Sequence, residues 1–201
     1  MASSTEICNL ALSHLGVGKE IAALETERSQ EASACRRFFD LARDEALRDF
    51  AWPFATKIIA LGLVEEEPND EWNYAYRYPT DCLNLRRILS GTRNDTRQTR
   101  VPHRIARDDS GRLIYTDTEN AEAEYTILVD DPEQYPPDFT MALSLLIASY
   151  IAPRVTGGDP FKMGDRALRL YALSIEKARA NSINEEQTEE HPESEFIRGR
   201  E

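Results

Sequence analysis

The chain has 201 residues, of which 41% are hydrophobic and 30% are charged, and its formal net charge is −12. This hydrophobic content suffices for a folded core, so a chain that is disordered throughout is excluded. Three dispersed cysteines exclude a disulfide scaffold and argue against a structural zinc site. No apolar run approaches the ~20 residues of a membrane span, and the N-terminus lacks the pattern of a signal peptide. We therefore expect synthesis in a reducing cytoplasm and no membrane contact.

Opposite charges are segregated along the chain. Residues 82–107 contain seven arginines and one aspartate, whereas residues 185–201 contain seven glutamates and two arginines. Such segregation is typical of a protein whose surfaces meet different partners, although two solvated loops would give the same pattern.

Two amphipathic helices are predicted near the N-terminus. The first covers residues 4–15, where Ser3 or Ser4 can cap the free N–H groups and Gly16 can end the helix. The second follows Ser29, another candidate cap, and stops before the first proline of the chain. Its apolar face recurs at steps of three and four residues and comprises Ala32, Cys35, Phe39, Ala42 and Ala46.

The middle of the chain is predicted to be rich in strands. Residues 54–64 are rich in aliphatic and β-branched side chains, and the acidic residues 65–70 are predicted to form a loop. Four aromatic residues then alternate strictly, which indicates a strand with one aromatic face that we expect to pack on a layer of helices. These residues are Trp72, Tyr74, Tyr76 and Tyr78.

More extended segments follow the aromatic one. Residues 79–81 are predicted to form a turn and residues 83–89 an extended segment, while residues 90–99 contain almost no apolar side chain and are expected to form an exposed loop. A hairpin turn is predicted at residues 108–111 and a last strand at residues 121–129.

Two further helices are predicted near the C-terminus. The third begins at Pro137 and is apolar on all sides over residues 139–151, which predicts burial at the centre of the molecule or in a subunit interface. Asp159 can cap the fourth helix. Its predicted inner face comprises Ala167, Leu168, Tyr171, Ile175 and Ala178.

The order of these elements predicts an α+β fold. We expect a bundle of about four helices from both ends of the chain, a central antiparallel strand-rich insertion and a flexible acidic tail. The predicted boundaries are residues 1–53 and 132–183 for the two halves of the bundle, 54–131 for the strands and the arginine-rich loop, and 184–201 for the tail.

No catalytic constellation stands out in the sequence. His14, His103 and His191 are scattered, and no pattern links any of them to a serine or to Cys35. The acidic runs are more typical of solvated loops than of general acid–base pairs. We therefore predict no cofactor or metal, whereas the abundance of carboxylates leaves a general acid–base pair open at this point.

Several motifs occur in the order and spacing found in the phage tail tubular protein A family. Residues 7–16 resemble its opening helix, and Trp52-Pro53-Phe54-Ala55 matches its Trp-x-Phe-Ala segment. Residues 74–83 match its Tyr-x-Tyr-x-x-Pro-x-Asp-Cys-Leu pattern, and residues 136–139 match the Pro-x-x-Phe start of its third helix. The resemblance spans about residues 5–183. The motif residues expected to be structural are Trp52, Pro53, Phe54, Tyr74, Tyr76, Pro79, Asp81 and Leu83.

The resemblance implies a structural virion protein without enzymatic activity, which would explain why no catalytic constellation stands out. Members of this family are adaptors at the head-to-tail interface of short-tailed phages, where twelve copies form a ring between the portal and the tail nozzle. It therefore implies synthesis in the host bacterial cytoplasm, a chain that is monomeric before assembly, and a channel that passes genomic DNA without specific binding. A negatively charged channel would suit that passage because it neutralises few phosphates.

Two segments are candidates for partner contacts. Arg93, Arg97 and Arg100 are expected to face an acidic rim on the nozzle protein. The acidic tail is expected to become ordered on the portal, because it has little apolar surface to bury alone. Its candidate contact residues are Glu185, Glu186, Glu195 and Phe196.

Two other function classes remain open. A glycan hydrolase of the phage tail would require a pocket with two carboxyl groups about 5–9.5 Å apart. A nucleic-acid-binding module would use the arginine-rich segment together with exposed rings of the tyrosine row.

Overall fold

The computed structural model describes residues 3–91, 99–157 and 159–185, and these ranges form an α+β fold, as predicted. The helices are α1 (Ser4–His14), α2 (Gln30–Asp49), α3 (Pro137–Val155) and α4 (Pro160–Glu185). The strands are β1 (Thr56–Ala60), β2 (Leu63–Asn69), β3 (Trp72–Arg77), β4 (Cys82–Ile88), β5 (His103–Asp108), β6 (Gly111–Thr116) and β7 (Glu122–Ile127). Short 3₁₀ turns occur at Pro53–Ala55 and Pro132–Gln134.

The predicted helix caps are confirmed. The Ser3 hydroxyl accepts a hydrogen bond from the N–H of Glu6, whose carboxylate accepts one from the N–H of Ser3, so α1 begins with a capping box. Gly16 follows α1 with φ of +72°, a left-handed conformation that glycine adopts without strain. Ser29 caps α2, and the Asp159 carboxylate accepts from the N–H of Lys162 in the first turn of α4.

Helix α3 lies at the centre of the helical part. It contacts α1, α2 and α4, and its residues 142–148 are buried. Of the two predicted environments, central burial is therefore the one observed. Because the other three helices cover α3, this helix does not need a neighbouring subunit to bury its apolar surface.

Helix α4 packs closely on α3, with one error in its predicted inner face. Ala167, Tyr171, Ile175 and Ala178 are buried, whereas Leu168 is 48% exposed. A Cβ atom on Gly164 would lie 3.3 Å from the carbonyl oxygen of Ser149, so this glycine permits the close approach. The inward stripe therefore begins at Gly164 and leaves Leu168 on its flank.

Two antiparallel sheets, with strand orders β1-β7-β4 and β2-β3-β6-β5, enclose a second core. The predicted aromatic row belongs to this core, since Tyr76 and Tyr78 are buried there with residues of both sheets. The expectation that the row packs on helices is therefore wrong, because the opposing sheet provides the apolar layer. The buried members of this core are Leu61, Tyr76, Tyr78, Cys82, Ile88, Ile114, Ala121, Ala123 and Tyr125.

The acidic segment predicted as a loop is instead a strand. The chain turns at Leu61 and Gly62, and β2 then carries three consecutive glutamates, residues 65–67, along the edge of the four-stranded sheet. An edge strand can hold these charges because one side of its backbone pairs with β3 while the glutamates stay exposed. The predicted hairpin between β5 and β6 and the predicted strand at β7 are confirmed.

Candidate interaction surfaces

Trp52 and Phe54, the aromatic residues of the Trp-Pro-Phe-Ala segment, lie where the helical part meets the sheets. The Trp52 ring is buried, and its centroid lies 5.1 Å from that of Phe139 on α3. The ring centroid of Phe54 lies 5.0 Å from that of Phe139. Pro53 begins the 3₁₀ turn that contains Phe54. This motif therefore anchors the first strand to the central helix.

Side chains from other elements donate hydrogen bonds to the carbonyl groups that lack a helical partner at the end of α2. The last four carbonyl groups of a helix lack a partner within the helix. Here Trp52 Nε1 donates to the carbonyl oxygen of Ala46 (2.8 Å), and Arg179 on α4 donates to that of Asp49 (3.5 Å). Arg86 on β4 donates to the other two, the carbonyl oxygens of Leu47 (3.4 Å) and Arg48 (3.2 Å), and also to that of Phe50.

Arg86 is one of the seven arginines of residues 82–107, and the structure gives it this internal role. The neighbouring Arg87 pairs with Glu124 on β7 at 2.7 Å. Among the three candidate nozzle-facing residues, Arg93 and Arg97 lie outside the described residues, and Arg100 is exposed. It borders a groove of about 260 Å³ lined by Arg86, Arg87, Ile88, Arg100, Val101 and His103.

The tyrosines of the motif at residues 74–83 are structural. The hydroxyl group of Tyr76 donates to the carbonyl oxygen of Thr118 (2.8 Å) and accepts from the N–H of Ala121 (3.3 Å). The Tyr74 ring is half-buried, and its centroid lies 6.2 Å from that of the Tyr76 ring. Burial raises the pKa of Tyr78 to about 12. Because Tyr76 and Tyr78 are buried, the row does not offer the stacked rings that the nucleic-acid-binding alternative requires.

Asp81 connects the turn after Pro79 with two strands. One carboxylate oxygen accepts from the hydroxyl group of Tyr125 (2.9 Å) and the other from Nζ of Lys57 (2.7 Å). The hydrogen bond from Lys57 lowers the pKa of Asp81, and the one from Tyr125 lowers it further. Leu83, the last motif residue, is half-buried against the helical core. These contacts favour a structural role for the motif.

The acidic tail is largely outside the described residues. Glu185 is exposed and is the last residue of α4, while Glu186, Glu195 and Phe196 lie beyond it. Asn181, one turn earlier, donates to the carboxylate of Asp138 at the start of α3 (3.0 Å). Helix α4 therefore ends beside the start of α3.

An acidic groove of about 820 Å³ bears on the hydrolase alternative, because three carboxylates line it. Its three carboxylates already have partners: Asp44 pairs with Arg43, Glu45 accepts from Tyr150, and Asp49 pairs with Arg179. Glu45 therefore stabilises the contact of α2 with α3 and Asp49 that with α4, whereas the pair of Asp44 with Arg43 lies within α2. The lining residues are Leu41, Asp44, Glu45, Arg48, Asp49, Leu83 and Tyr171.

Sequence reasoning missed the charges at the two edges of the four-stranded sheet. Strand β2 at one edge carries the exposed Glu65, Glu66 and Glu67, and β5 at the other carries the exposed Arg104 and Arg107. The acidic run gave no alternating signal, so its placement on a strand was not predicted.

Exposed apolar side chains on α4 were also missed. Phe161 is 75% exposed and Leu173 is 71% exposed, and both lie outside the inward stripe of the helix.

Across residues 3–91, 99–157 and 159–185 there is no cluster of metal-ligating side chains, and no helix in these ranges is long and apolar enough to span a membrane.

The chain matches no protein-family model and no curated protein. The resemblance to tail tubular protein A therefore depends on the order and spacing of the motifs.

Proposed function

We propose that this chain is a structural virion protein, a ring-forming adaptor that joins the portal to the tail nozzle of a short-tailed phage and lines the channel for genome ejection. The observation that carries the proposal is that the motif residues make specific contacts both within the sheets and where the sheets meet the helices. Trp52 binds the end of α2, Tyr76 lies between the sheets, and Asp81 connects a turn to β1 and β7.

These positions favour a shared fold over a chance match. A motif that arises by chance has no reason to place each polar atom on a specific buried or bridging partner. Here the Trp52 indole, the Tyr76 hydroxyl group and the Asp81 carboxylate all have such partners. Because these contacts require particular side chains at particular positions, a shared fold would explain why the motifs match the resembled family in both order and spacing.

The charge distribution also supports an assembly role. Arg100 projects from the strand-rich part, whereas the acidic tail leaves the helical part after Glu185. We assign the first surface, with Arg93 and Arg97, to the nozzle and the second to the portal. The overall charge of −12 opposes self-association of the free chain, which favours assembly on a template.

The test is the mass in solution measured by light scattering, for the chain alone and with its purified portal ring. We expect a 22.9 kDa monomer alone and a gain of twelve copies on the portal. An unchanged portal mass at saturating concentrations would contradict the adaptor role.

Two variants assign the partner surfaces. Removal of residues 186–201 is expected to weaken attachment to the portal, and full attachment would exclude the tail as its binding segment. Replacement of Arg93, Arg97 and Arg100 by serine is expected to slow nozzle docking and to reduce its salt dependence. Unchanged docking and salt dependence would exclude this surface.

A further inference from the structure

We infer that neighbouring copies associate head to tail, with the β2 edge of one copy lying against the β5 edge of the next. This inference rests on the proposed function, for which it supplies the contact between subunits. Its basis is the strand order β2-β3-β6-β5, which places an acidic edge and a basic edge on opposite sides of one sheet.

The β5 edge is regular and carries two exposed arginines, Arg107 and Arg104, of which Arg104 pairs with the exposed Glu71 at 3.3 Å. Its register with β6 is continuous from His103 to Asp108, and the hairpin pairs Asp108 with Gly111. Alternation in an antiparallel pair then directs the N–H and C=O groups of Ile105 and Arg107 away from β6. No other described strand pairs with β5, so these groups form an open edge that is flanked by charge.

The β2 edge complements it in charge. Glu65, Glu66 and Glu67 are exposed, and two register shifts interrupt the pairing of β2 with β3. These irregularities limit any shared ladder to a short stretch, so charge attraction would select the partner edge.

Each edge also exposes apolar side chains beside its charges. Leu63 and Val64 begin β2, and Ile105 lies between the two arginines of β5 with 49% of its surface exposed. Contact between the edges would bury these groups at its centre and leave the charged groups at its rim, as in typical protein interfaces.

The position of the two edges determines the type of assembly. They are separated by three strand spacings, about 14 Å, so each copy presents two different surfaces to its two neighbours. Such heterologous contacts close into a ring when the rotation between copies permits it. A second copy of this chain is therefore the occupant to which both edges are suited.

Charge exchange tests this contact on the portal. The acidic-edge variant carries Glu65→Arg and Glu66→Arg, and the basic-edge variant carries Arg104→Glu and Arg107→Glu. Each variant alone brings like charges together, and we expect at least about a tenfold loss in affinity for ring formation. An equimolar mixture places opposite charges at every contact, so it is expected to recover the full mass.

Matched controls exchange charges elsewhere. The pair Glu20→Arg with Glu133→Arg and the pair Arg37→Glu with Arg166→Glu alter exposed residues outside the sheet by the same net charge. Both controls are expected to assemble like the wild type. Thermal melting of every variant establishes that the monomer is folded.

The outcomes separate this inference from the proposed function. If the wild type assembles on the portal and the edge variants do so equally well, the inference is overturned and the adaptor role stands. If the wild type gains no mass on the portal, the adaptor role fails. The edge contact is then decided by oxidising a concentrated equimolar mixture of the single variants Glu66→Cys and Ile105→Cys and weighing the products by mass spectrometry. Mixed dimers that clearly outnumber the two homodimers together support the contact, and a random distribution overturns it.

Discussion

The indole Nε1 of Trp52 donates a 2.8 Å hydrogen bond to the carbonyl oxygen of Ala46, in the last turn of α2. Together with Arg86 and Arg179, it satisfies the carbonyl groups that the end of this helix leaves without partners. Trp52 directly precedes the 3₁₀ turn before β1, Arg86 lies on β4 and Arg179 on α4. The end of α2 is therefore one point at which the helices and the sheets are connected.

Replacing Trp52 by phenylalanine should weaken this junction. The substitution removes the indole N–H, leaves the Ala46 carbonyl group unsatisfied and creates a small cavity. We expect a loss of about 2 kcal/mol in the free energy of unfolding, measured by urea denaturation. Trp72→Phe is the matched control, because the Trp72 indole nitrogen has no hydrogen-bond partner among the described residues. Equal losses in the two variants would contradict the assigned role.

Replacing Arg86 by methionine tests the same junction from the sheet. The variant keeps an apolar stem but removes the donors to the carbonyl groups of α2 and to the Thr126 hydroxyl group (2.8 Å). The expected loss is about 2–3 kcal/mol in the free energy of unfolding. Arg37→Met, on an exposed position of α2, should change stability by less than about 0.5 kcal/mol. If both variants unfold at the same urea concentration, Arg86 does not stabilise the junction.

The sequence was sufficient to predict elements whose signals are local. Ser3, Ser29 and Asp159 cap helices through side chains that act within one turn, and Gly16 ends a helix through its own backbone conformation. Helix α3 was predicted from its apolar length. Strand β2 was missed because a run of glutamates resembles a loop unless its pairing partner is known.

Roles that depend on distant partners could not be predicted in the same way. Arg86 lies in the middle of β4, and nothing in the neighbouring sequence indicates that its side chain reaches the end of α2, about 40 residues away in sequence. Leu168 was placed inward because the pattern permits a wide apolar face, whereas the contact at Gly164 sets a narrower one. The two charged edges became visible only once the strand order was known.

Asp81→Asn should destabilise the fold in a manner that depends on pH. Hydrogen bonds from Lys57 and Tyr125 lower the pKa of Asp81 in the folded chain. Its contribution is therefore complete above the pKa of the unfolded chain and is lost as the pH falls through the lower folded value. We expect a loss of about 1 kcal/mol at pH 7, since the site is partly exposed.

Below about pH 4 the unfolding free energies of the wild type and Asp81→Asn should converge, because the carboxylate is then increasingly protonated. The control is Asp70→Asn, at an exposed aspartate in the turn between β2 and β3. A difference between wild type and Asp81→Asn that stays constant from pH 7 to pH 3 would show that the charge of Asp81 contributes nothing.

His14 should make the packing of α1 on α3 sensitive to mild acid. Its Nε2 lies 3.1 Å from the Ser144 hydroxyl oxygen, and burial lowers its pKa below the ordinary 6.5. The unfolded chain therefore binds this proton more readily, so stability falls as the pH drops below about 6.5 towards the folded value. His14→Gln should remove this dependence between pH 7.5 and pH 5 in urea denaturation. Ser144→Ala should retain it, because burial causes the shift. Equal pH dependence in wild type and His14→Gln would contradict this assignment.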